Sequence, residues 1–254
     1  MERGHEQGAP LTLEVRIARF DPERIPSQWM ETFNIEIRKG MNLLEALLNI
    51  QDEQDGTLSF RYSCRGAVCG SCAMKVNGEL VLACRTPVER LLGKTVKIEP
   101  LPNFPVLRDL IVDMSSFFEH YRRMNPYLHG KLQGTDREHL MTEDKRKEID
   151  PYIQCILCGI CFGICPAFKR DTSFLGPAIL AKVFRFWLDP REGRKDQLLT
   201  SVNHQQGVWG CNTVFQCVKV CPKEVPPTHA ILRMRNSLLR LRLSSWFKRS
   251  FPSP

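Results

Sequence analysis

The sequence predicts an α+β fold in two domains, a small sheet with one helix first and an all-helical part second. Residues 11–19 (LTLEVRIAR) alternate apolar and polar side chains, the period of a half-buried strand. From about residue 150 onward the apolar spacing is that of helices. Between them EPLPNFPVLRDL, rich in proline, marks a boundary, which places the domains at 1–115 and 116–254.

After the first strand, a proline-containing turn leads to a second extended stretch, 31–37 (ETFNIEI), so a β-hairpin opens the chain. GMNLLEALLNIQDEQ follows, with leucines at helical spacing; Asn42 suits an N-cap and Glu45, three residues on, completes a capping box. Strand, strand, helix and then a cysteine-bearing loop is the order of a β-grasp sheet with one helix across it. Further short strands are expected at 73–76, 81–83 and 95–99. Residues 109–124 (DLIVDMSSFFEHYRRM) read as an amphipathic helix, and the polar run 129–150 as an exposed connection. GPAILAKVFRFWLDP reads as a helix stopped by proline, and PPTHAILRMRNSLLRLRL as another. The apolar stretch 152–168 falls short of the roughly 20 residues of a membrane span and is crowded with cysteines, so no transmembrane helix is expected.

The 254 residues, 43% hydrophobic and 25% charged, suffice for two ordinary folded domains. The formal charge of +8 suits docking on an acidic partner or an anionic membrane surface. No nucleic acid is expected as a partner, because no zinc-finger, helix-turn-helix or RNA-binding signature accompanies that charge. The C-terminal tail LRMRNSLLRLRLSSWFKRSF has no acidic residue; it suits either a core helix with a solvated basic face or one lying on anionic headgroups. The N-terminus, MERGHEQGAPLTLEV, has no apolar h-region, so no secretory signal is expected. That implies a reducing compartment, where disulfides are rare. Eleven cysteines are too many to be incidental there, and an odd number fits a closed disulfide framework poorly; metal ligation remains.

The spacings select the metal. Cys64-x4-Cys69-x2-Cys72-x11-Cys84 is the plant-type [2Fe–2S] spacing: a tight loop supplies three thiolates and a later strand the fourth. Gly66 and Gly70 would let the backbone bend and aim N–H groups at the sulfurs. A zinc knuckle is the alternative, but it normally uses paired C-x2-C elements. Cys155-x2-Cys158-x2-Cys161-x3-Cys165-Pro166 is the bacterial ferredoxin run, whose fourth cysteine ligates a different cluster. Cys211-x5-Cys217-x3-Cys221-Pro222 repeats it with Val214 at the second cysteine position. Crossing over then gives Cys155, Cys158, Cys161 and Cys221 to a [4Fe–4S] cluster. Cys165, Cys211 and Cys217 remain, and a corner without a thiolate predicts [3Fe–4S]. Every cysteine is used. No nucleophile–base signature, G-x-G-x-x-G or P-loop is present, so no catalytic residue is assigned to this chain. His204 and His229 read as surface or capping residues.

The whole order resembles the iron–sulfur subunit of succinate dehydrogenase and fumarate reductase. The pieces that carry the resemblance are RFDPE (19–23), QDEQDGTL (51–58), SCRGAVCGSCAMKVNG (63–78), LACRT (82–86), PLPNFPVLRDLIVD (100–113), CILCGICFGICPAF (155–168), LGPA (175–178) and CNTVFQCVKVCPKEVPP (211–227), ending at PPTHAI (226–231). The resemblance implies a flavoprotein partner whose FAD handles succinate or fumarate, and a membrane-anchor partner where electrons meet quinone. It implies electron flow from flavin through [2Fe–2S], [4Fe–4S] and [3Fe–4S] to quinone, or the reverse; with no secretory signal expected, the cytoplasmic side of the cell membrane is the expected place. By the same resemblance Pro166, Arg170 and Val214 stand near the quinone. Two positions depart from the pattern: Lys169 and Arg170 replace an aromatic pair, and Asn212 replaces a frequent histidine. These departures leave open an altered acceptor site. Fumarate reductases coupled to a thiol or another non-quinone donor are the alternative within the same chemistry. An iron–sulfur sensor would need only one cluster.

Overall fold

The computed structural model describes residues 11–130 and 138–250, with side chains described as far as residue 243. The chain divides into two compact units, Met1–Asp113 and Met114–Pro254.

In the first unit β1 (Thr12–Phe20) and β2 (Gln28–Glu36) form the opening hairpin, in register from Thr12–Glu36 to Phe20–Gln28. Then come α1 (Leu43–Glu53), β3 (Ala73–Val76), β4 (Glu79–Leu82) and β5 (Val96–Glu99). The sheet order is β2-β1-β5-β3-β4, with β1 and β5 parallel and the other pairs antiparallel. This is the β-grasp sheet that the order of elements predicts. A parallel pair needs a long crossover, and the chain between β1 and β5 carries both α1 and the first cysteine loop. The capping box forms as read: Asn42 Oδ1 accepts from the Glu45 N–H at 3.1 Å, and the Glu45 carboxylate accepts from the Asn42 N–H at 2.8 Å. Leu43, Leu44, Ala46, Leu47 and Ile50 are the buried face of α1.

Alternation along β1 sends Leu13, Val15 and Ile17 inward and puts Arg19 in the same register. A buried guanidinium needs anions. Glu31, Asp55 and Asp109 all accept from Arg19, Asp109 at 3.0 Å, with Thr57 Oγ1 at 2.9 Å. Burial resists ionisation of Asp55, but bonds from Thr57 and Arg19 outweigh it and hold its pKa at about 2. A lowered carboxylate stabilises the fold fully above its unfolded value of 3.8 and loses that contribution as pH falls through about 2. Asp55→Asn is therefore expected to flatten the dependence of stability on pH between about 4 and 2. Urea unfolding at a series of pH values measures this; an unchanged slope would contradict the assignment.

The helix expected over 109–124 starts later. Residues ahead of it form a short hairpin, β6 (Val106–Arg108) and β7 (Ile111–Val112), and α2 spans Ser115–Arg123. Asp109 is the cause. Its backbone is left-handed at φ 43°, its N–H donates to the Phe20 carbonyl at 3.0 Å, and its carboxylate accepts from the Phe20 and Ser59 N–H groups at 3.1 and 2.8 Å. The strands expected at 81–83 and 95–99 also shift, because Ala83 opens a 3-10 turn (Ala83–Arg85) and β5 begins at Val96.

The second unit continues with α3 (Glu143–Ile153), α4 (Ile160–Gly163), α5 (Pro166–Arg170), α6 (Pro177–Leu188), α7 (Lys195–Ser201), α8 (Gln216–Lys219) and α9 (Pro227–Ser250). α6 is the core helix, with Ile179, Leu180, Ala181 and Phe184 fully buried, and it packs on α3 and α9. The exposed connection expected over 129–150 lies partly outside the described residues. Inside them, 143–150 are helical: the Thr142 hydroxyl accepts from the Lys145 N–H at 3.4 Å, acidic residues fill the first turn, and Arg146 pairs with Glu143 and Asp150. No helix of the described residues is long and apolar enough to cross a membrane; the stretch 152–168 is broken between α3, α4 and α5. The polar residues 1–10 and the tail side chains beyond 243 lie outside the described residues.

Gly176 ties α6 to the first cysteine run. It has φ +81°, and a Cβ there would sit 2.1 Å from Cζ of Phe162. Phe162 is fully buried between Phe117 and Phe168, with ring centroids 4.7 and 4.8 Å away. Gly176→Ala is expected to cost about 3 kcal/mol through backbone strain and overpacking. A denaturation midpoint close to wild type would show that the ring can move aside.

Candidate metal centres

The eleven cysteines are all free thiols, and the structure gathers them at three places. In the first unit, Cys64 and Cys69 lie in the loop ahead of β3, Cys72 abuts β3, and Cys84 lies in the 3-10 turn after β4, not on a strand. Antiparallel pairing of β3 and β4, extended by an Ala83 N–H bond to the Cys72 carbonyl at 3.0 Å, brings Cys84 beside Cys72. The loop is wound around sulfur. Cys64 Sγ accepts from the N–H groups of Gly66 (3.4 Å), Val68 (3.3 Å) and Cys69 (3.2 Å), and Cys69 Sγ accepts from the Cys64 N–H at 3.5 Å. These donors pull the Cys64 thiol down to about 6, whereas burial pushes Cys72 up to about 12. The bend is made at Arg65 (φ 54°), Ala67 (φ 56°) and Gly70 (φ 74°), so Gly66 serves by its N–H and not by a left-handed backbone. Left-handed backbone costs a side-chain-bearing residue about 1–2 kcal/mol, strain of the kind that collects at functional sites.

In the second unit Cys155, Cys158, Cys161 and Cys221 line one cavity together with Leu157, Val225 and Pro227. Cys165, Cys211 and Cys217 line another with Pro166, Asn212, Val214 and Thr228. The last cysteine of each run thus faces the other run's cavity. Burial pushes Cys158 up to about 11, and burial with the neighbouring cysteines raises Cys161 well above its ordinary value. Backbone N–H groups again reach sulfur: Thr213 to Cys211 at 3.3 Å, Val225 to Cys221 at 3.3 Å, and Phe168 to Cys165 at 3.5 Å.

The two runs repeat in backbone as well as in spacing. Two and four residues after Cys155 the chain is left-handed, at Leu157 (φ 55°) and Gly159 (φ 78°), and α4 begins at the next residue. Two and four residues after Cys211 it is left-handed at Thr213 (φ 56°) and Phe215 (φ 59°), and α8 begins at the next residue. Val214 occupies the place of Cys158 in this repeat. It is 48% exposed and lines the three-cysteine cavity. Arg170 and Lys169 sit at the exposed end of α5 and do not line that cavity, unlike Pro166, Asn212 and Val214. His204 and His229 are exposed, and His229 rests edge-on against Phe215. Thr228 is a site residue that the spacing did not reveal.

An all-thiol donor set, spread around cavity walls and met by N–H groups, fits polynuclear iron–sulfur groups. Among the described residues, no group of three or more His, Cys, Asp or Glu converges to hold a single ion. Residues 14–119 match the family described as the 2Fe-2S iron-sulfur cluster binding domain, and residues 152–225 match the 4Fe-4S dicluster domain. Fold and donor sets therefore define a two-domain iron–sulfur protein. In fold the chain is similar to a chain of the Mycobacterium smegmatis Sdh1 complex in the apo form, at TM-score 0.82 and 23% identity, covering 92% of this chain and 98% of that one. It is also similar to a hypothetical protein from Helicobacter pylori, at TM-score 0.55 and 18% identity, covering 90% of this chain and 40% of that one. The chain resembles the iron–sulfur subunit of succinate dehydrogenase and fumarate reductase in motif order, and a chain of an Sdh1 complex in fold.

Proposed function

We propose that this chain is the electron-transfer subunit of a succinate:quinone oxidoreductase, passing electrons between the FAD of a flavoprotein partner and quinone at a membrane-anchor partner. It would sit peripherally on the cytoplasmic face of the membrane, with a [2Fe–2S] domain over 1–115 and a dicluster domain over 116–254. Cys64, Cys69, Cys72 and Cys84 would hold [2Fe–2S]; Cys155, Cys158, Cys161 and Cys221 would hold [4Fe–4S]; Cys165, Cys211 and Cys217 would hold [3Fe–4S]. When bound, such groups supply one-electron chemistry whose potential depends on type, charge and hydrogen bonds to sulfur.

The observation that carries the reading is the three-cysteine cavity in which Val214 stands where the repeat would place a thiol. The chain's own contribution is to aim N–H groups at sulfur and to wall the second-unit sites with apolar residues. Pro166 and Val214, which line that cavity, and Arg170 on α5 are the residues assigned next to the quinone.

Low-temperature EPR on membranes containing this chain, before and after succinate, tests the proposal. An oxidised three-iron signal that disappears while a reduced two-iron signal grows is the expected result. Signals indifferent to succinate would discard the dicarboxylate partner and favour the thiol or other non-quinone donor. Cys165→Ala is expected to remove the three-iron signal and leave the two-iron signal in place.

A further inference from the structure

The first turn of α9 carries a group that no spacing argument uses. Thr228, its second residue, is fully buried, and its Oγ1 lies 3.1 Å from the sulfur of Cys217, itself 8% exposed.

With a free thiol either atom could donate. A ligating cysteine is deprotonated and can only accept, so the hydroxyl must then donate to Cys217. Both groups are buried, Thr228 fully.

We propose that Thr228 sets the reduction potential of the three-cysteine site by donating its hydroxyl hydrogen bond to Cys217. This rests on the assignment of Cys217 as a ligand of the three-iron group. One added electron places more negative charge on the sulfur and breaks no bond. A donor fixed against that sulfur stabilises the reduced state more than the oxidised one and raises the potential. Were the contact only the satisfaction of a buried hydroxyl, its removal would lower stability and leave the potential alone.

The test is an EPR-monitored redox titration of the purified complex carrying Thr228→Val, Thr228→Ala or Thr228→Ser. Val and Ala are expected to shift the midpoint of the three-iron signal to lower potential, Ser to retain the wild-type midpoint, and the two-iron midpoint to stay fixed in all three. Ala, which cannot overpack, decides the matter if Val does not load. A three-iron midpoint unchanged in the Val or Ala protein would overturn the proposal. Absence of a three-iron signal in the wild type would instead overturn the ligand assignment beneath it.

Discussion

Val214→Cys is expected to abolish the three-iron EPR signal, add one iron per chain and lower the potential of that site. The backbone asks nothing new of the variant. Thr213 and Phe215, on either side, repeat the left-handed geometry of Leu157 and Gly159 around Cys158, and residue 214 already lines the cavity of Cys165, Cys211 and Cys217. A half-exposed valine replaced by a smaller side chain costs little stability. Under the proposed three-iron assignment, the fourth thiolate would hold one more iron and add negative charge, a lever that moves potential downward. Iron analysis beside a redox titration checks both statements. A retained three-iron signal with a cysteine at 214 would show that this side chain cannot reach the site, and the repeat would then be a likeness of backbone only.

Arg19→Met is expected to destabilise the N-terminal unit by about 3–5 kcal/mol, the cost of removing one partner from a buried ionic network. Asp109 is 2% exposed and would be left with only backbone donors. The side chain of Arg19 also stands 5.6 Å from the centroid of the Trp29 ring, the one tryptophan of the first unit, so fluorescence of a variant that keeps only Trp29 offers a local probe of urea unfolding. Adding Asp109→Asn to the variant removes the unpaired charge and is expected to recover part of the loss. A cost below about 1 kcal/mol for Arg19→Met would mean that water replaces the guanidinium.

What the sequence made legible is what neighbouring residues decide among themselves. The capping box of Asn42 and Glu45, the alternation in β1 and the three cysteine groups are local patterns, and the repeat between the runs at 155 and 211 could be laid out by counting. The misread segment, 109–114, is decided at long range: Asp109 leaves the helical pattern for partners at Arg19, Phe20 and Ser59, which no window around it contains. The segment 143–150 was misread for the opposite reason. α3 is held by its cap and by surface ion pairs, and its apolar stripe is reduced to Ile149 and Tyr152. In the first cysteine loop the glycines drew attention to left-handed backbone, yet Arg65 and Ala67 carry most of it. Thr228 is a hydroxyl in an ordinary helix start until folding sets it against a sulfur 11 residues earlier.

The exchange of last cysteines between the two cavities also fixes a timetable. During synthesis the run at 155–165 emerges first, but one wall of its cavity is Cys221, near the end of the second run. The other cavity needs Cys165 from the earlier run and Cys211 and Cys217 from the later one. Neither compartment can be closed before its last lining residue is delivered, Pro227 for one and Thr228 for the other, so iron offered earlier would find thiols without an enclosure. Under the proposed ligand sets both centres would be completed late, once the start of α9 is in place.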